Sequence, residues 1–301
     1  MALLEVTDLS VWVQGTARPV VDRLSLRLKH GQTLCVVGES GSGKSMTARA
    51  IMGILPAGAR LSGRIRFDGK DVTVDKALHR GHRLCGSGMS MVFQEPMASL
   101  NPTMRVVDII SESLTVRRGF ASRQACEAAS DLLEQAGIGK PADVLSQYPW
   151  QLSGGLAQRV AIAAALAQES RLLVADEPTT ALDVTTQAQI LSLLLRLQQA
   201  RGLAVLFITH DLAIAGLMGG WTAVMHAGAV VETGPTQQVL ASPSHAYTAS
   251  LVFSTPAAAL RQGRKRLSVP DAGPEAGAGS GLQEVRPGAP AAGDGPQGGA
   301  E

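Results

Sequence analysis

The sequence predicts an α/β protein built on a mainly parallel core sheet, and three observations carry that expectation. The short apolar run Thr33-Leu34-Cys35-Val36-Val37 leads into Gly38-Glu39-Ser40-Gly41-Ser42-Gly43-Lys44-Ser45, after which residues 46–54 suit a helix. Strand and helix patterns then alternate from Gly154 to Ile208, which implies right-handed βαβ units. Hydrophobic residues make up 45% of the chain but aromatics only 3%, an aliphatic composition that suits strands covered on both faces.

At 301 residues the chain has room for one large domain with an appendage or for two modest domains. Lys plus Arg (27) against Asp plus Glu (25) leaves a net charge of +2, so no overall field favours nucleic acid as a partner. Cys35, Cys85 and Cys126 are odd in number and far apart, which argues for free thiols in a reducing compartment and against a disulfide or zinc framework. No uninterrupted apolar run reaches the ~18 to 20 residues of a membrane span. The run 160–167 is broken by Gln168-Glu169 and the run 203–208 by Thr209-His210-Asp211. Met1-Ala2-Leu3-Leu4-Glu5 lacks the basic and apolar regions of a signal peptide, so the expectation is a soluble, cytoplasmic chain.

Residues 3–13 and 20–28 read as strands, with Gln14-Gly15-Thr16 and Arg18-Pro19 as the turn between them. In the second, Val21, Leu24, Leu26 and Leu28 alternate with Asp22, Ser25, Arg27 and Lys29, the mark of an antiparallel strand with one open face. Residues 63–67 form a further strand that ends at the turn Asp68-Gly69, and 89–93 another that delivers Gln94. From Thr103 the spacing becomes helical: Val106, Val107, Ile109, Ile110 and Leu114 make one apolar face, and residues 125–136 another. With the alanine-rich helix at 154–168, these define a helical subdomain at about 103–168, inserted in a core domain of residues 1–260. The strand 172–175 ends in Asp176-Glu177, the helix 185–199 turns Ile190, Leu191, Leu194 and Leu197 inward, and the strand 203–208 precedes His210. Residues 261–301 hold a basic run, Arg261, Arg264, Lys265 and Arg266, then a Gly/Pro/Ala-rich tail expected to be disordered.

Gly38 to Ser45 fits the phosphate-binding pattern of Gly, four residues, then Gly-Lys-Ser or Thr. A strand, a glycine loop and a helix start aim successive backbone N–H groups and the positive end of a helix dipole at one spot, where a polyphosphate can sit. Lys44 then reaches the β- and γ-phosphates, and the Ser45 hydroxyl ligates Mg2+. Asp176 and Glu177 emerge at the carboxyl end of a buried strand, where open α/β sheets place their ligands. Asp176 is the candidate Mg2+ ligand and Glu177 the candidate general base. Gln94 and His210 also stand at strand ends; taken singly, each reads at least as well as a capping or core residue.

In combination these residues resemble a known set. Leu152-Ser153-Gly154-Gly155 followed by Gln158-Arg159 resembles the signature of ABC transporter ATPases. Gln94 in Phe93-Gln94-Glu95-Pro96 resembles that family's Q-loop, Ala181-Leu182-Asp183 its D-loop and His210 its switch histidine, with six elements in family order over residues 3 to about 255. The resemblance implies a P-loop NTPase of ABC type, with an antiparallel β subdomain and an inserted helical subdomain, that hydrolyses ATP with Mg2+. It assigns nucleotide binding to Gly38, Glu39, Ser40, Gly41, Ser42, Gly43, Lys44, Ser45, Met46, Gln94, Asp183 and His210. Catalysis falls to Lys44, Gln94, Glu177 and His210, and the metal to Ser45, Gln94 and Asp176. It further implies a head-to-tail dimer in which Ser153, Gly154 and Gly155 contact the γ-phosphate held by the partner's loop, so that ATP closes the dimer and hydrolysis reopens it.

The stretches around the phosphate loop, 93–102, 148–155 and Ser242-Pro243-Ser244-His245-Ala246-Tyr247-Thr248 resemble the oligopeptide, dipeptide and nickel importer branch, and Gly53-Ile54-Leu55-Pro56 resembles its nickel members. That branch implies a second cassette, identical or related, two transmembrane permease subunits and, indirectly, an extracytoplasmic substrate-binding protein, with the chain peripheral on the cytoplasmic face of the cell membrane. A soluble ABC ATPase acting on DNA or ribosomes is the alternative; such relatives usually carry two cassettes or a long coiled coil, and neither is present. Three features depart from the pattern: Leu156 stands where Gln or Met is usual, Val13 beside Trp12 stands where the branch often has an adenine-stacking aromatic, and the tail lacks a cysteine-containing segment.

Overall fold

The computed structural model describes residues 2–73, 88–180 and 182–254; Cys85, Ala181, the basic run and the tail expected to be disordered lie outside them. β1 (Ala2–Trp12) and β2 (Val21–Lys29) pair antiparallel, with Leu4 opposite Leu28 and Val6 opposite Leu26. The alternation read from sequence holds from Leu24 onward, with Leu24, Leu26 and Leu28 buried and Ser25, Arg27 and Lys29 exposed; before it Val21 is buried, Asp22 half-buried and Arg23 exposed. β3 (Thr33–Val37) is buried throughout and feeds the glycine loop. α1 (Lys44–Met52) begins two residues earlier than the apolar run indicates, because Gly43 adopts a left-handed φ of 103° at its N-cap. β4 (Arg60–Phe67) returns alongside β1, and Asp68-Gly69, both at positive φ, turn the chain into β5 (Lys70–Asp71). The resulting antiparallel sheet has the order β2-β1-β4-β5.

β6 (Met89–Val92) enters the second sheet, and a run of helices follows: α2 (Pro96–Ser99), α3 (Val106–Arg118), α4 (Ser122–Gln135), α5 (Pro141–Leu145), a 3-10 turn at Pro149–Gln151 and α6 (Gly154–Leu166). Their inward faces, among them Val106, Ile110, Leu114, Ala129, Leu133 and Val160, share one apolar cluster with the core sheet. β7 (Leu172–Asp176), α7 (Val184–Arg201), β8 (Ala204–Thr209), α8 (Leu212–Met218), β9 (Trp221–His226), β10 (Ala229–Pro235), α9 (Thr236–Ala241) and α10 (Ala246–Ser254) complete the described chain. The core sheet runs β10-β9-β3-β8-β7-β6, parallel at every neighbour except the antiparallel β9–β10 hairpin.

Side chains on the central strands alternate between two apolar clusters. Leu34, Val36, Val174, Leu206 and Ile208 meet β1, β2 and α1 on one face. Cys35, Val37, Leu173, Ala175, Val205 and Phe207 meet the helices on the other. Burial on both faces is why these strands read as continuous apolar runs. Because β3, β6, β7 and β8 are parallel, their carboxyl ends share one edge, and the residues that follow them converge there.

The start of α10 is tied to β10 by Glu232, whose carboxylate accepts the backbone N–H groups of Ser244 (2.8 Å) and His245 (3.0 Å). Partial burial opposes the charge, yet these hydrogen bonds prevail and hold the carboxyl down at about 2, from an ordinary value of 4.5. A depressed carboxyl contributes stability above its unfolded value and loses it as pH falls through the folded one. Glu232→Gln is therefore expected to cost about 1 kcal/mol at neutral pH, after discounting for solvent screening. Its deficit relative to the parent should shrink as pH falls from 4.5 toward 2, which melting curves across that window would check.

Candidate nucleotide-binding site

The loop between β3 and α1 is shaped by close backbone contacts. A Cβ on Gly38 would lie 2.2 Å from the Met225 carbonyl oxygen, and one on Gly43 would lie 2.6 Å from that of Val20, so neither position admits a side chain. The Gly228 N–H donates to the Ser42 carbonyl at 3.1 Å and braces the loop from the β9–β10 hairpin. Ser40 and Gly41 form its exposed tip, and Met46 packs half-buried on the β1–β2 side of the core. Lys44 is only 4% exposed, and its ammonium donates to the carbonyls of Gly38 and Glu39, both at 2.8 Å. Burial lowers the Lys44 pKa, opposed by the charges of Glu177, Asp176 and Glu39. The Ser42 hydroxyl is buried with no hydrogen-bond partner, an orphaned polar atom of the kind a bound polyphosphate would satisfy.

Across the loop, the Ser45 hydroxyl donates to Asp176 Oδ1 at 2.9 Å. Burial raises the Asp176 pKa against the lowering effect of that hydrogen bond. Ser45 and Asp176 line one cavity of about 350 Å3 together with Arg49, Gln94, Glu95 and Ser99. The Ser45 hydroxyl, the Gln94 amide and the Asp176 carboxylate, the candidate ligands among these, are too few for an all-protein cage. They suit Mg2+, which binds through one or two carboxylates plus substrate phosphates. Among the described residues no group of three or more His, Cys, Asp and Glu side chains is assembled for another metal.

Glu177 follows on β7 with a left-handed φ of 46°, and its N–H donates to the Ile208 carbonyl at 3.0 Å. Its Oε2 accepts the Thr180 hydroxyl at 2.8 Å and lies 3.1 Å from His210 Nδ1. A sparsely populated backbone conformation held by such contacts is typical of a side chain fixed for function. The carboxylate is 11% exposed and the imidazole 47%, so the pair opens to solvent on the histidine side. Lys44, Ser45, Gln94, Asp176, Glu177 and His210, all singled out from sequence, thus meet at one sheet edge. Arg49 and Thr180 join them unforeseen; Arg49 sits one helical turn beyond Ser45, a spacing that marks it only once the helix start is known.

Ser153, Gly154, Gly155 and Asp183 do not line that cavity. Ser153 caps α6, its hydroxyl accepting the Leu156 N–H at 3.4 Å, and stands exposed with Gly154. A Cβ on Gly155 would come within 2.8 Å of Thr186 Cγ2, so the start of α6 presses on the start of α7. Asp183 caps α7, accepting the N–H groups of Thr185 and Thr186 at 3.0 Å, and these bonds lower its pKa. Trp12 lies half-buried at the end of β1, paired across to Arg60, with Val13 beside it. Val20, which contacts Gly43, brings that hairpin against the loop.

The model of the ABC transporter family matches residues 21–180. The dipeptide transport ATP-binding protein DppD of Escherichia coli K12 is 45% identical over 271 residues, covering 89% of this chain and 82% of that protein. The oligopeptide transport ATP-binding protein OppD of Bacillus subtilis is 44% identical, covering 84% of this chain and 72% of that protein. The dimeric structure of the ATP-binding cassette MJ0796 bound to ADP and Pi superposes with a TM-score of 0.67 at 26% identity, covering 77% of this chain and 98% of that one. The fold, the phosphate loop and these likenesses agree: this chain belongs to the ABC transporter family as an ATP-binding, ATP-hydrolysing subunit.

Proposed function

We propose that the chain is a cassette of residues 1–260 that energises import of dipeptides or oligopeptides through two transmembrane permease subunits, fed by an extracytoplasmic binding protein. The cassette sits on the cytoplasmic face of the cell membrane and pairs with a second cassette. Its helical subdomain, about 103–168, and the segment after Gln94 dock on the permeases. The DppD and OppD likenesses favour peptide over nickel as cargo.

The observation that carries the chemistry is the junction of the Ser45–Asp176 and Glu177–His210 pairs beside the phosphate loop. Backbone N–H groups of the loop and Lys44 hold the phosphates of ATP, Lys44 leaving the carbonyls of Gly38 and Glu39 to do so. Ser45, Asp176 and Gln94 would hold Mg2+, which when bound supplies charge neutralisation at the β- and γ-phosphate oxygens. Glu177 accepts the proton of the water that attacks the γ-phosphorus, and ADP leaves as the bond to the bridging oxygen breaks. His210 and Thr180 orient the Glu177 carboxylate. Ser153, Gly154 and Gly155 complete the partner's site, and Asp183 lies along the same interface.

Affinity purification from detergent-solubilised native membranes should recover two polytopic membrane proteins, with ATP hydrolysis stimulated by the peptide-loaded binding protein. Stimulation by nickel complexes alone would overturn the cargo, and recovery of ribosomes or nucleic acid would overturn the transport reading.

A further inference from the structure

We propose that Tyr247 is a positioning residue for the phosphate loop, its hydroxyl latching the Gly38–Glu39 peptide so that Lys44 is free to meet the nucleotide without the loop losing its shape. This rests on the reading of Lys44 as a phosphate-binding residue. The Glu39 N–H donates to Tyr247 Oη at 3.2 Å, across 208 residues of sequence. The carbonyl of that same peptide unit, that of Gly38, accepts Lys44 Nζ at 2.8 Å. In a trans peptide the N–H and C=O point in opposite directions, so the two bonds hold one plane from both sides.

Transfer of Lys44 to a phosphate removes one of those bonds. The Gly38 carbonyl then loses its side-chain partner, and the hydroxyl of Tyr247 opposes rotation of the plane from the other side. Rotation is a specific risk here, because Gly38 lacks the Cβ that would restrict the dihedral on its side of the plane.

Tyr247 is itself held firmly. Its ring lies against His226 with centroids 4.0 Å apart and planes inclined by 33°. Its backbone N–H donates to His245 Nδ1 at 3.1 Å, and Glu232 secures the Ser244 and His245 amides. His226 ends β9, the strand whose Met225 carbonyl forbids a side chain on Gly38. α10 and the β9–β10 hairpin therefore brace the loop from the side opposite β8 and His210.

Tyr247→Phe keeps the ring and removes the acceptor. Titration with a fluorescent ATP analogue should show binding ~3- to 10-fold weaker, the range expected for one lost hydrogen bond. KM for ATP should rise in step while kcat stays within ~2-fold, since the Glu177–His210 pair is untouched. Hydrogen exchange at the Glu39 amide should accelerate. Affinity equal to or tighter than the parent's would overturn the proposal, as would a lower melting temperature with unchanged affinity, the sign of a purely structural contact. Lys44→Ala, run in parallel, should abolish nucleotide binding; if it did not, the reading of the phosphate site would fail whatever Tyr247→Phe did.

Discussion

Replacing Glu177 by Gln is expected to leave ATP binding intact and to cut steady-state hydrolysis by about 10²- to 10⁴-fold, the usual contribution of a positioned general base. The amide keeps the shape of the side chain and its hydrogen bond from Thr180, so the loss isolates proton acceptance from packing. The 3.1 Å contact to His210 makes a second, milder variant informative. His210→Ala leaves the base in place but without its orienting ring, and should slow turnover less than loss of the carboxylate does. Single-turnover hydrolysis with radiolabelled ATP distinguishes these outcomes, and parent-like turnover by Glu177→Gln would exclude Glu177 as the base.

Gly38→Ala should damage both stability and nucleotide binding. The new Cβ would sit 2.2 Å from a backbone oxygen of β9 and 2.8 Å from the Ser42 hydroxyl. That oxygen cannot withdraw, because β9 is hydrogen-bonded in register to β3, with Val37 opposite Val224. A cost of about 2–3 kcal/mol in stability is expected, with more than ~10-fold weaker nucleotide binding as the loop deforms. Gly41→Ala provides the contrast. Its φ of 83° strains a side chain, but the space around it is open, so the cost should be about 1–2 kcal/mol. Urea denaturation and nucleotide titration of the two variants separate steric exclusion from backbone strain.

The strands that feed the site were legible in the sequence because β3, β7 and β8 are buried on both faces and end abruptly, β3 at the glycine loop and β7 and β8 in polar residues. That Ser45 and Asp176 serve one metal follows from the phosphate-loop pattern and the strand-end position of the acid; their direct hydrogen bond does not. The Glu177–His210 pairing was not derivable in the same way. It depends on the β7–β8 register, Asp176 opposite Ile208, and on the left-handed turn at Glu177, neither of which leaves a local signal.

The β9–β10 hairpin escaped sequence reading for a related reason. Its turn is Ala227-Gly228, with Ala227 at φ 47°, where an Asn-Gly or Asp-Gly pair would have announced it. Tyr247 lies in the 242–248 stretch that resembles the importer branch, but its contact with the phosphate loop leaves no local signal, since its partner is 208 residues away. Ser153, Gly154 and Asp183 show a different limit. Within one chain they account fully for helix capping and exposure, and the role proposed for them requires a second chain.

That requirement is the centre of the account, and a mass measurement tests it most directly. Light scattering of the Glu177→Gln chain, alone and mixed with any second cassette encoded beside it, should show a shift from one subunit of 31.3 kDa to the mass of two when Mg2+ and ATP are added. Adding Ser153→Arg to both chains should keep them monomeric with ATP still bound. A Glu177→Gln chain that binds ATP yet stays monomeric in every mixture would contradict the shared site.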